Sequence, residues 1–160
     1  MSETRWLDAR EARAWRTLQM MQMRLDGELA RLLTAESGLS YQDYTVLVAL
    51  TAQPEGRMRA FELGAILGWE KSRLSHHVRR MAERGLVKKD KCASDRRGSF
   101  VAVTAAGRKE IEAAAPGHVT AVRQLFVDRL TGDQLDALAD VAETVLAGLD
   151  EYADEIDSAR

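Results

Sequence analysis

A single cysteine, Cys92, occurs in 160 residues, so no disulfide can close within the chain, and a lone thiol suits a reducing cytoplasm. Proline is confined to Pro54 and Pro116, and no low-complexity or linker-like tract is present. No apolar run approaches the ~18 residues that argue for a membrane span. The start, Met1-Ser2-Glu3-Thr4-Arg5, lacks the apolar stretch of a secretory signal. Glycine-rich phosphate loops and nucleophile elbows are missing, which speaks against an enzyme. His76 and His77 diverge by roughly 100° on a helix and His118 is distant, so no metal site is expected, and no cofactor.

Alanine, leucine, glutamate and arginine dominate, which points to a mostly helical fold in one domain. The formal net charge of −2 hides a strong segregation. Between Lys71 and Arg97, ten lysines and arginines face only Glu83, Asp90 and Asp95, a local charge of +7, so the remainder carries −9. Such a local basic field is what phosphate binding needs, whatever the total.

The first helix is predicted over Asp8 to Thr34. It carries one stripe at Trp15, Leu18, Gln22, Leu25, Leu29 and Leu32, apolar but for Gln22, and a second at Met20, Met23, Gly27 and Ala30, as expected of a helix packed from two directions. Ser40-Tyr41-Gln42-Asp43 reads as a capping motif for a second helix ending near Ala52, followed by the turn Gln53-Pro54-Glu55-Gly56 and a short strand, Arg57 to Arg59. A third helix, Ala60 to Leu67, should bury Leu63, Ile66 and Leu67 and close on Gly68. The fourth runs from Lys71 to Glu83. Strands are expected at Leu86 to Lys91 and Ser99 to Val103, joined by an Asp95 to Gly98 turn, after which Thr104 caps a fifth helix. Pro116-Gly117 should kink or break that helix, with His118 to Leu130 resuming it. Thr131 and Gln134 form a capping box for a last helix. There Leu135, Leu138, Ala142, Val145, Leu149 and Tyr152 follow three-and-four spacing, a coiled-coil-type seam, and the tail from Asp154 should fray.

On the fourth helix, with Leu74 at zero and about 100° per residue, Val78 falls near 40° and Met81 near 340°, one buried face. Lys71, Ser72, Arg73, Ser75, His76, Arg79 and Arg80 lie opposite or on the flanks. Hydroxyls, an imidazole and guanidiniums in that arrangement can bond base edges and phosphates. His77, at the edge of the buried face, reads as structural. A short helix, a glycine turn, this basic helix and a hairpin together make a winged helix-turn-helix, with the second helix for the major groove and Arg96 or Arg97 for the minor groove. Asp95 pairing with an arginine to stiffen the hairpin is the competing use of that tip.

The stretch Leu63 to Thr104 resembles the MarR family of winged-helix transcriptional regulators. Asp95, Arg97 and Val103-Thr104 sit where that family's wing signature has Asp, Arg and Leu-Thr, and Glu83-Arg84-Gly85-Leu86-Val87 is similar as well. The resemblance implies a winged lobe over residues 40–104 and dimerisation helices over 8–36 and 116–153. Leu18, Leu25, Leu135, Leu138, Val145, Leu149 and Tyr152 would join two copies. It implies a repressor of a pseudo-palindromic operator in double-stranded DNA, relieved by a small phenolic or lipophilic effector near Trp15, Met20, Tyr44 and His118. Ser72, Arg73, Ser75 and His76 would read the major groove. Glu70 stands where a small capping residue is common, and an acid there could cap the helix. Cys92 lies beside the wing, where oxidation could disturb DNA binding. The alternative is a winged-helix module that binds protein and lacks specific DNA recognition.

Overall fold

The computed structural model describes residues 4–90 and 99–158. Six helices and three short strands follow in the order α1 (Ala9–Ser37), α2 (Tyr41–Thr51), β1 (Arg57–Arg59), α3 (Ala60–Leu67), α4 (Lys71–Glu83), β2 (Val87–Asp90), β3 (Phe100–Val103), α5 (Ala105–Leu125) and α6 (Gly132–Ser158). The chain divides into two compact units, residues 1–119 and 120–160. No helix among the described residues is long and apolar enough to cross a membrane.

Side chains set most helix starts among the described residues. Asp8 accepts from the backbone of Arg10 and Glu11 at 2.7 and 2.8 Å while Glu11 accepts from Asp8 N, so α1 starts with a reciprocal box. It continues three residues past the expected Thr34, closing at Gly38 with φ of 70°. Ser40 and Asp43 form the same reciprocal pair at the start of α2. Thr131 and Gln134 repeat it before α6. Glu70 occupies the cap position of α4 with extended backbone but makes no side-chain cap bond, so the capping role considered for it is not realised.

α2 is the centre of the first unit. Tyr44, Val46, Leu47 and Leu50 are all buried, as expected of a helix that is apolar nearly all round. Around it gather Leu33 and Leu39, Leu63 of α3, Leu74, Val78 and Met81 of α4, Val87 and Val101 of the sheet, and Ile111 and Ala114 of α5. α3 departs from expectation: Leu63 is buried, but Ile66 is 63 % exposed. Leu63 and Gly64 are buried and Leu67 only half-buried, so the inward face centres roughly 50° from Leu63, and Ile66 projects roughly 110° from that centre.

The strands form one antiparallel sheet in the order β1-β3-β2. Arg57 pairs with Ala102 and Arg59 with Phe100 on one side, Val87 with Val103 and Asp90 with Phe100 on the other. The central position of β3 explains its weak alternation: Val101 and Ala102 are both buried. The expected turn from Asp95 to Gly98, and Cys92, lie outside the described residues.

Pro116-Gly117 does not break the helix; α5 runs through both residues to Leu125. A proline removes one N–H and crowds one carbonyl, a local loss that a 21-residue helix with a firm start sustains. Gly117 leaves room for the Glu36 carboxylate of α1, which lies where a Cβ would stand. The expected continuation to Leu130 is replaced by a 3-10 turn at Val127–Arg129.

The start of α5 is the tightest junction. Thr104 Oγ1 accepts from Gly107 N at 3.0 Å and donates to the Gly85 carbonyl at 2.6 Å, and Thr104 N donates to the Leu86 carbonyl. A Cβ on Gly107 would collide with that same Leu86 carbonyl. Gly107→Ala should therefore cost about 1–3 kcal/mol by overpacking against immovable backbone, read as a Tm lowered by several degrees in thermal unfolding. An unchanged or raised Tm would show that this junction yields.

Candidate nucleic-acid interface

α4 presents two sharply different faces. Leu74, Val78 and Met81 are buried, whereas Lys71, Ser72, Arg73, Ser75, His76, Arg79 and Arg80 are all exposed. Arg79 has only a loose, exposed contact with Glu83 at 3.9 Å. The helix is set in place by the turn before it. Gly68 takes φ of 63°, and Trp69 N donates to the Gly64 carbonyl at 2.9 Å. Gly64 is itself close-packed: a Cβ there would meet the Trp69 carbonyl at 3.1 Å.

The sheet adds cations that the sequence reading had counted only as charge or as strand. Lys89 of β2 reaches Ser75 Oγ of α4 at 3.5 Å, so the root of the wing and the basic helix share one surface. Arg57 and Arg59, two residues apart on β1 and so on one face of the sheet, hold their guanidiniums 5.0 and 4.9 Å from the Phe100 ring centre. Such contacts are invisible in sequence because β1 and β3 lie some forty residues apart. Arg96 and Arg97 lie outside the described residues. A cleft of about 570 Å³ opens between α3, the start of α4 and the sheet, lined among others by Phe61, Trp69, Ser75, Lys89 and Val101.

Beneath the basic face sits a buried charge. Asp43, 3 % exposed, is the one buried charged or polar side chain among the described residues. Arg84 Nη1 donates to its Oδ2 at 2.6 Å, Ser40 N to the same oxygen at 3.2 Å, and His77 Nε2 lies 3.0 Å from Oδ1. That approach does not make a straight hydrogen bond; it is a close polar contact with a ring that burial holds toward its neutral form, not an ion pair. Burial pushes the Asp43 carboxyl up, but the bonds from Arg84 and Ser40 outweigh it and hold it below its ordinary value. His77 moves down: burial dominates, the Arg80 and Arg73 charges add to it, and Asp43 opposes. The reading of His77 as structural thus has its reason in Asp43, which looked in sequence like a helix cap alone. On its other side His77 meets the Trp69 ring edge-on, centroids 5.1 Å apart, and Arg73 lies 4.6 Å above that indole.

Of the four effector candidates, two are together. Tyr44 and His118 rings are 4.5 Å apart, with Tyr41 at 6.2 Å from the same histidine. His118 Nδ1 is buried with no hydrogen-bond partner among the described residues, and burial lowers the ring's pKa. Trp15 and Met20 are exposed on α1, roughly 21 and 14 Å along the helix axis from Leu29, the first α1 residue that is buried. Of the residues expected to join two copies, Leu18 of α1 is exposed and Leu25 half-buried. On α6 Leu135 and Leu138 are half-buried, while Val145, Leu149 and Tyr152 are 57, 57 and 62 % exposed.

A short helix, a glycine turn, a basic helix and a strand pair behind it define a winged helix-turn-helix protein. Residues 37–98 match the MarR family model. The chain is 36 % identical to AbsC, a MarR family transcriptional regulator from Streptomyces coelicolor, over 92 % of this chain and 99 % of that one, with a TM-score of 0.85. It is 38 % identical to Sco3205, a MarR family regulator from the same organism solved in complex with DNA, over 90 and 94 % of the two chains, TM-score 0.84. CouR from Rhodococcus jostii, bound to p-coumaroyl-CoA, is similar at 25 % identity over 81 and 88 %, TM-score 0.70. No curated protein matches the chain. This chain therefore belongs to the MarR family of transcriptional regulators, a family of winged-helix DNA-binding proteins and not of enzymes.

The buried ionisable groups set a pH dependence. His77 and His118 ionise below the ordinary 6.5 when folded, so between the folded and unfolded values the unfolded chain binds more protons and stability falls as pH drops. Asp43, held below 3.8, contributes stability above that value and loses it as pH falls through its folded pKa. Urea midpoints should be level near neutrality, decline below about pH 6.5 and decline again in strong acid. The double variant His77→Gln, His118→Gln should flatten the first decline; a midpoint that rises on mild acidification would contradict this assignment.

Proposed function

We propose that the chain is a repressor which, as a cytoplasmic homodimer, reads a pseudo-palindromic operator and is released from it by a small phenolic or lipophilic effector. The observation that carries this is α4: seven hydrogen-bonding or cationic side chains exposed on one side of a helix whose other side is buried. A helix so mounted fits the major groove, with its N-terminal residues toward base edges. Lys71, Ser72, Arg73, Ser75, His76, Arg79 and Arg80 are the proposed contacts, with Arg96 and Arg97 proposed for the minor groove. That Sco3205 was solved with DNA supports this use of the lobe. The Tyr44–His118 pair, with an unpartnered buried nitrogen, and CouR's bound p-coumaroyl-CoA support an effector beside these rings. The exposed apolar side chains Val145, Leu149 and Tyr152, at coiled-coil spacing on α6, support pairing through a second copy. The alternative, a module that binds protein, draws on Phe61 and Ile66, 65 and 63 % exposed on α3.

Fluorescence anisotropy against duplex from the chain's own upstream region, with a scrambled duplex as control, separates the two. Preferential binding that falls roughly 10³-fold between 50 and 200 mM salt is expected from about six phosphate contacts. No binding to either duplex at low salt would favour the protein module. Leu149→Asp should lower dimer mass in sedimentation and DNA affinity together, because two half-sites need two lobes. A variant that remains a tight dimer would remove α6 from the pairing surface.

A further inference from the structure

Arg73 and His77 stand one turn apart on α4, and Trp69, in the turn just before the helix, lies against both. The Arg73 guanidinium lies 4.6 Å above the Trp69 ring centre, and Trp69 meets His77 edge-on at 5.1 Å and 77°. His77 ends on the buried Asp43, which Arg84 and Ser40 hold from the other side. Trp69 is fixed twice over, since its backbone N–H donates to Gly64. An unbroken series of contacts thus runs from a carboxylate in the core to a guanidinium on the surface. Arg79 and Arg80, on the same helix, have no aromatic neighbour of this kind among the described residues.

We infer that Trp69 is a positioning residue for DNA recognition, holding Arg73 in the orientation it needs to read a base. This rests on the proposal that α4 enters the major groove. A long, flexible arginine on an open helix face samples many rotamers, and reading guanine through two parallel bonds requires one of them. An indole beneath the guanidinium removes much of that freedom before DNA arrives, and preorganised contacts are the specific ones. Trp69 acts through Arg73 and makes no base contact of its own in this assignment. It should therefore govern how well the protein distinguishes sequences, not how strongly it holds phosphates.

The test starts from duplexes selected by the wild-type protein out of a random-sequence library, with a scrambled duplex as reference. The ratio of the two affinities is measured for Trp69→Leu, Trp69→Phe, Arg73→Ala and the pair Trp69→Leu, Arg73→Ala. Trp69→Leu should lower the ratio roughly five-fold, the scale of an exposed cation–π contact, while affinity for the scrambled duplex stays within about two-fold. Trp69→Phe should recover part of the ratio, and Trp69→Leu should change nothing once Arg73 is alanine. Without DNA, Arg73 δ-proton resonances should show an upfield ring-current shift in the wild type that shrinks in Trp69→Phe, which keeps the inference testable if Trp69→Leu folds poorly. Equal loss on both duplexes, an undiminished effect in the Arg73→Ala background, or no ring-current shift would each overturn the role of Trp69 alone. A library that enriches no sequence would overturn the DNA reading, and this inference with it.

Discussion

A carboxylate taken out of water must find its lost hydrogen bonds and counter-charge inside the protein, or it protonates or the fold rearranges. Asp43 meets that requirement with three neighbours from three places: Ser40 one turn back, His77 in the middle of α4, and Arg84 just past the end of α4. Because Asp43 belongs to α2, the most buried helix, its demands fix where α4 lies along and around its own axis. A slip of one residue in α4 would turn His77 by roughly 100° and displace Arg84, leaving the buried carboxylate with Ser40 alone and without its counter-charge. Apolar packing of Leu74, Val78 and Met81 chooses the face of α4; the ionic cluster chooses its register.

That division of labour explains what could be read from the chain alone. Periodicity is a local property, so the inward and outward faces of α4 were legible, as were the boxes at Ser40 and Thr131 and the closing glycine Gly68. The family resemblance rested on the same stretch. What escaped depends on partners distant in sequence. Asp43 looked like a cap residue because its cap partner is three residues away, while His77 and Arg84 are 34 and 41 away. The pairing of β1 with β3 was hidden for the same reason. Ile66 misled because two turns of helix are too short for composition to mark one face. Pro116 misled because a rule about local hydrogen bonds was applied to a helix whose start is held by Thr104 and the backbone of Gly85 and Leu86.

Charge follows the same logic at a larger scale. A total of −2 would hide a phosphate-binding surface if charge were spread evenly. Instead Lys89 meets Ser75 of the basic helix, and Arg57 and Arg59 rest against Phe100, gathering cations from α4 and the sheet around one lobe. The acidic excess is carried elsewhere in sequence, notably in α6, where Asp133, Asp136, Asp140, Glu143, Asp150 and Glu151 occur without a lysine or arginine between them. The field that a polyanion meets is set by this segregation and not by the sum.

The β1–β3 ladder has one more effect. Arg59 pairs with Phe100, and Ala60 N donates to the Ser99 carbonyl at 3.0 Å. Everything between, which includes α3, the glycine turn, α4 and β2, leaves the frame and returns to it through two points one strand spacing apart, about 5 Å. Inside that segment Leu63, Leu74, Val78, Met81, His77 and Arg84 stay tied to α2, and Gly85 and Leu86 to the start of α5. The lobe's reading surface is in this sense a cassette only on its outer side: new sequence preferences can evolve at the exposed positions of α4 while the inward positions keep the helices before β1 and after β3 in place.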